Sequence, residues 1–169
     1  MLKGAGVLSK TVSLLTTQNE MVNTLADKTE TEPYLLLVED SDDDAFFFER
    51  ALQKSGNTCS LRHVTNGAEA IDLIQKVSIS NTEAFPSLIF LDLKMPVVNG
   101  FEFLGWLQTQ PFSNRLSVIV LSGSEHLDDK ARAAQLGATD YLVKPVRADD
   151  LNRLLRDICP AIPEKGACA

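Results

Sequence analysis

Three short runs, LLLV at 35–38, LIFL at 88–91 and VIVL at 118–121, are apolar at every position. A strand with one solvated face alternates apolar and polar residues; a run with no polar position suits a strand covered on both faces, as in a parallel sheet between helical layers. Each run then stops on a polar residue. Glu39 and Asp40 follow the first, Asp92 the second and Ser122 the third.

The segments between these runs carry helical spacing, so the sequence predicts strands at Tyr34–Val38, Cys59–Val64, Ser87–Leu91, Ser117–Leu121 and Thr139–Val143. Helices are predicted at Asp42–Ser55, Ala68–Val77, Gly100–Gln110, Leu127–Leu136 and Asp149–Ile158. Five βα units in succession define an α/β fold with a doubly wound, five-stranded parallel sheet. Such sheets bind ligands outside the carboxyl ends of their strands. The abrupt polar endings, with Lys144-Pro145 after the fifth strand, all fall on that edge.

Composition narrows the partners. The chain has 169 residues, enough for one domain with its own core, and a formal net charge of −7. That charge argues against a nucleic-acid surface, which needs a basic patch, and no apolar run approaches a membrane span. Residues 1–32 are rich in polar residues and read as a disordered extension, within which Met21 is an alternative start; 33–158 form the domain and 159–169 a short tail. Cys59, Cys159 and Cys168 are an odd set without metal-ligand spacing, implying no disulfide framework and fitting a cytoplasmic location.

Glu39, Asp40 and Asp92 place three carboxylates at neighbouring strand ends, an arrangement that raises their pKa values or demands a cation. All-oxygen ligands without His or Cys select Mg²⁺ or Mn²⁺ over zinc. Lys144 adds an ammonium, Ser122 a hydroxyl, and Gly123 leaves space beside it. A metal, an ammonium and a hydroxyl around one carboxylate suit a phosphoryl group, with Asp92 as nucleophile.

The chain resembles a response-regulator receiver domain of two-component signalling. The resemblance rests on VED, LDLKMP, VLSG and YLVKP in this order over residues 33–158. It implies a flavodoxin-like (βα)5 fold with strand order 2-1-3-4-5, metal ligation by Asp40, Asp92 and the Lys94 carbonyl, and Glu39 acting through water. It also implies that Ser122 and Lys144 hold phosphoryl oxygens, Tyr141 is a switch aromatic, and Lys144–Pro145 is cis. Phosphoryl donation would come from a sensor histidine kinase or phosphotransfer protein. Output would pass to a protein target, or to a second copy through the face of the fourth helix, fifth strand and fifth helix. The pieces VED, RHVTNGAEAIDLI and LDLKMPVVNGFEFL are similar to stand-alone regulators paired with phytochrome-like and hybrid kinases. Such a protein is no enzyme beyond its own phosphorylation and slow autodephosphorylation.

Other readings stay in view. A pseudo-receiver would keep the fold as a binding module without phosphorylation. The VEDSDDD turn lacks the glycines of a nucleotide-binding fold, and Lys94 stands where a D-x-D phosphatase has its second carboxylate. Asp42, Asp43 and Asp44 read as first-turn acids behind a Ser41 cap, Asp44 closing a capping-box-like arrangement. Phe47 and Phe48 are expected in the core and Phe46 outside it. His63, His126 and Trp106 are assigned to structure or surface.

Overall fold

The computed structural model describes residues 34–80, 84–123 and 126–156. The proposed extension at 1–32 and tail at 159–169 lie outside these residues. All described residues belong to the unit Glu32–Ala169.

The elements are β1 (Tyr34–Val38), α1 (Asp42–Lys54), β2 (Ser60–Val64), α2 (Gly67–Ile79), β3 (Leu88–Asp92), α3 (Gly100–Gln108), a 3₁₀ turn at Ser113–Arg115, β4 (Val118–Ser122), α4 (Leu127–Gln135), β5 (Asp140–Val143) and α5 (Ala148–Leu155). The five strands are parallel in the order β2-β1-β3-β4-β5. This is the flavodoxin-like order, with its reversal between β1 and β3.

Burial follows the pleat. Every residue of β1, β3 and β4 is buried. Leu36, Val38, Ile89, Leu91, Val118 and Val120 join α2 and α3 residues such as Ile74, Phe103 and Leu104 in one cluster. Leu35, Leu37, Phe90, Ile119 and Leu121 join Phe48 and Leu52 of α1 and Leu151 and Leu155 of α5 in the other. The fully apolar strands thus serve two helical layers, as their sequence implied. β2, at the sheet's edge, is largely exposed and correspondingly polar.

α1 buries Ala45, Phe48, Ala51 and Leu52, a single stripe at helical spacing, and the Phe48 ring lies 4.7 Å from that of Phe90. Phe47 departs from expectation: it is 54% exposed, beside Phe46 at 57%. Successive helical residues diverge by 100°, so a stripe centred on Phe48 excludes its neighbour. Cys59 is another correction, being disulfide-bonded. An odd cysteine count hid this pairing.

At the same edge as the polar strand ends, α2 opens on a dense cap. The Asn66 side chain accepts from Glu69 N–H at 3.0 Å. The Glu69 carboxylate in turn accepts from Thr65 N–H, Thr65 Oγ1 and Asn66 Nδ2. The Thr65 backbone bond, then its hydroxyl and the Asn66 amide, lower the Glu69 pKa below its ordinary 4.5. A depressed carboxylate contributes stability that is complete above the unfolded-state pKa and lost as pH falls through the folded one. Glu69→Gln is therefore expected to cost about 0.5 kcal/mol at neutral pH and to approach wild-type stability near pH 3. Denaturant melts at the two pH values check this.

Candidate phosphoacceptor site

β1 and β3 are adjacent, so the residues at their carboxyl ends meet. Glu39, Asp40 and Asp92 each offer a carboxylate oxygen, all within 4.8 Å of one another. Glu39 is 2% and Asp92 5% exposed, whereas Asp40 opens to solvent. Two backbone bonds hold the frame: Glu39 N–H donates to Val64 O at 3.0 Å, and the Lys94 N–H donates to Asp92 Oδ2. His63 Nε2 lies 2.8 Å from the Glu39 carbonyl oxygen. A carbonyl only accepts, so that nitrogen carries the proton and His63 braces the backbone.

β4 and β5 supply the other side. Ser122 ends β4 one residue beyond Leu121, which is in register with Asp92, and is 2% exposed. Lys144 follows β5, its N–H donating to Ser122 O at 2.8 Å, and the Lys144–Pro145 peptide is cis. A Cβ built at Gly123 would meet nothing within 4 Å, so the space beside Ser122 is open.

The Lys144 ammonium joins these parts. Its Nζ lies 2.6 Å from Glu39 Oε2, 2.8 Å from Asp92 Oδ1 and 2.9 Å from Asp44 Oδ2. Burial acts to depress the Lys144 pKa, but bonds to Asp44, Asp92 and Glu39 together outweigh it and hold the ammonium above its ordinary range. Glu39 moves the other way for a carboxylate in an ion pair: burial raises its pKa more than Lys144 lowers it, and the charge of Asp92 adds to the rise. Three carboxylates share one ammonium and Asp40 stands beside two of them, an excess of negative charge that favours a cation.

Asp44 is the participant that sequence reasoning missed. Its N–H donates to Ser41 Oγ at 3.3 Å, as expected of a helix cap, but its carboxylate reaches Lys144 across 100 positions of sequence. The signal available was its place four residues before Phe48, on the buried side of α1. Lys94 is exposed, with its side chain outside the bonds described. Tyr141 is half-buried on the α2–α3 side of the sheet, level with Val120. Trp106 packs between Phe103 and Phe112, with ring centroids at 5.9 and 6.5 Å.

Among the described residues no helix is long and apolar enough to cross a membrane.

Residues 35–156 match the response regulator receiver domain family. The chain is 30% identical to the probable methanogenesis regulatory protein FilR2 of Methanothrix harundinacea, over 75% of this chain and 82% of that protein. It is 29% identical to the response regulator Rcp1 of Synechocystis, over 79% and 91%. In longer relatives the shared region is a fraction, 17% of the sensor histidine kinase CheAY of Helicobacter pylori at 25% identity. Among solved structures, the Mn²⁺-bound form of Rcp1 superposes with a TM-score of 0.60 at 30% identity, covering 75% of this chain and 91% of that one. The bacteriophytochrome response regulator AtBRR gives 0.65 at 29%, with the same coverages.

Proposed function

Because the chain belongs to the response-regulator receiver family, whose domains are signalling modules and not conventional enzymes, we propose that it accepts a phosphoryl group on Asp92 and signals through protein–protein contacts. The observation that carries this reading is the Lys144 ammonium, 2.8 Å from Asp92 inside a group of three carboxylates at adjacent strand ends. The donor is a phosphohistidine on a sensor histidine kinase or phosphotransfer protein. An Asp92 carboxylate oxygen attacks phosphorus, the P–N bond breaks, the imidazole leaves with that electron pair, and an acyl phosphate forms.

The donor set fits a hard divalent cation. Glu39, Asp40 and Asp92 present only oxygens, and the local excess of negative charge selects Mg²⁺ or Mn²⁺. Asp40, Asp92 and the Lys94 carbonyl would hold it, Glu39 acting through water. Bound there, it would neutralise carboxylate charge that otherwise repels a phosphoryl dianion. Lys144 and Ser122 then supply donors to the phosphoryl oxygens. The exposed Lys94 side chain, two residues past Asp92, shields the product from water, which gives slow autodephosphorylation.

For output, Ser122 turns toward the new oxygens and Tyr141 moves into the space it leaves, reshaping the face of α4, β5 and α5. A ligand biases such an equilibrium only through contacts that differ between states; the Ser122–phosphoryl bond is that contact. Leu127 is 81% and Val143 39% exposed on this side, apolar area a protein target or second copy would cover. Tyr141→Ala is expected to change beryllofluoride-dependent association about fivefold or more without altering phosphorylation. Equal association with and without beryllofluoride in wild type removes this face as the output. We take residues 33–158 as the domain sufficient for the chemistry, with 1–32 dispensable.

The test is incubation of the full chain with a radiolabelled small phosphodonor, with and without Mg²⁺. Mg²⁺-dependent, acid-labile label approaching one per chain supports the reading. No label, in a chain that binds a kinase, favours the pseudo-receiver.

A further inference from the structure

A lysine ammonium has three N–H donors and no more, and in this site all three are taken, by Glu39, Asp92 and Asp44. An incoming phosphoryl oxygen can receive a bond from Lys144 only if one carboxylate releases it. The three differ in what release costs. Glu39 is 2% exposed, so parting it from the ammonium strands a buried charge, and Asp92, 8% exposed, still carries its own charge while the phosphoryl donor approaches. The Asp44 side chain is 43% exposed and can return to water. It lies outside the group of three carboxylates suited to a cation, at the lip of a cleft of about 340 Å³ bordered by Phe47, Gly123, Lys144 and Pro145.

We propose that Asp44 is a positioning residue acting through Lys144 as a releasable restraint: it holds the third ammonium donor at rest and yields it to the phosphoryl oxygen when Asp92 is phosphorylated. This rests on the phosphoacceptor reading above. The resting ammonium is held between α1 and β5, and phosphorylation parts Asp44 from Lys144. Each phosphorylation therefore works against one ion pair, and removing Asp44 makes the phosphorylated state easier to reach. A carboxylate that merely preorganised Lys144 would have the opposite sign.

The experiment titrates beryllofluoride with Mg²⁺ into the full chain and into Asp44→Ala, Asp44→Asn, Asp44→Glu and Asp43→Asn, by calorimetry. Asp43 is exposed on the same helical turn and controls for loss of charge alone. Asp44→Ala and Asp44→Asn are expected to bind about fivefold more tightly, the scale of one partly exposed ion pair. Asp44→Glu should restore wild-type affinity within about twofold, and Asp43→Asn should stay within the same margin. In wild type the Asp44 carboxylate ¹³C resonance should move on beryllofluoride binding toward that of a solvated aspartate. Unchanged or weaker binding in Asp44→Ala, an equal gain in Asp43→Asn, or a stationary Asp44 resonance overturns the inference while leaving the phosphoacceptor reading intact. A wild-type chain that neither binds beryllofluoride nor accepts phosphate overturns both.

Discussion

Asp92→Asn is expected to reduce phosphorylation from near one phosphoryl group per chain to background while leaving the fold in place. The amide oxygen carries no full charge and is a poor nucleophile toward phosphorus, so the loss should be complete. The fold should survive because the amide oxygen can still accept the Lys94 N–H that Asp92 Oδ2 accepts. Lys144 retains Glu39 and Asp44 as charged partners. Removing one of four clustered carboxylates also relieves repulsion, so without divalent ion the variant should melt no lower than wild type. The two readouts separate chemistry from structure: lost label with an unchanged melt assigns the nucleophile. Stoichiometric acid-labile label in Asp92→Asn would move the phosphoacceptor to another carboxylate.

How far residues alone reveal this molecule depends on whether a feature is written in a local pattern. The central strands were legible because burial on both faces leaves no polar position, and LIFL can meet that demand only inside the sheet. The site's residues were legible for a related reason: a parallel α/β sheet brings all its strand ends to one edge, so Glu39, Asp40, Asp92, Ser122 and Lys144 could be placed together without coordinates. The structure brings the three carboxylates within 4.8 Å and sets Lys144 among them.

Asp44 was not legible. Its place in the first turn of α1 is accounted for by capping and the helix dipole; its spacing from Phe48 puts it toward the buried side of α1 but does not point to an ammonium 100 positions away. Phe47 failed differently. Three consecutive phenylalanines invite assigning two to the core, yet one helical stripe admits only Phe48, and Phe47 borders the cleft instead. The Cys59 disulfide could not be anticipated from an odd count of cysteines. Tyr141 carries no local signature of a switch; the role proposed for it rests on family likeness alone.

Two glycines of α3 should respond to the same substitution with opposite signs. Gly100 opens the helix after the Asn99–Glu102 capping box, and its N–H donates to Leu93 O at 3.2 Å. A Cβ at Gly100 would run into the Asp92 carbonyl oxygen and lie 2.8 Å from Leu93 Cα, both backbone atoms that no rotamer change can move. The helix would have to lift from β3, the strand that ends in Asp92. Phe103 and Leu104, 0% and 1% exposed, would lose packing with it. Overpacking of this kind costs about 1–3 kcal/mol, here against rigid neighbours, so Gly100→Ala is expected to destabilise by about 2 kcal/mol and lower the melting temperature by roughly 5–10 °C. The displaced loop should also slow phosphorylation of Asp92. Gly105 sits mid-helix, and a Cβ there would meet nothing within 4 Å. Gly105→Ala removes only backbone entropy from the unfolded chain and should stabilise by about 0.5–1 kcal/mol. Paired urea melts decide the matter: a Gly100→Ala protein as stable as wild type would mean that the close approach of α3 to β3 is not what this position requires.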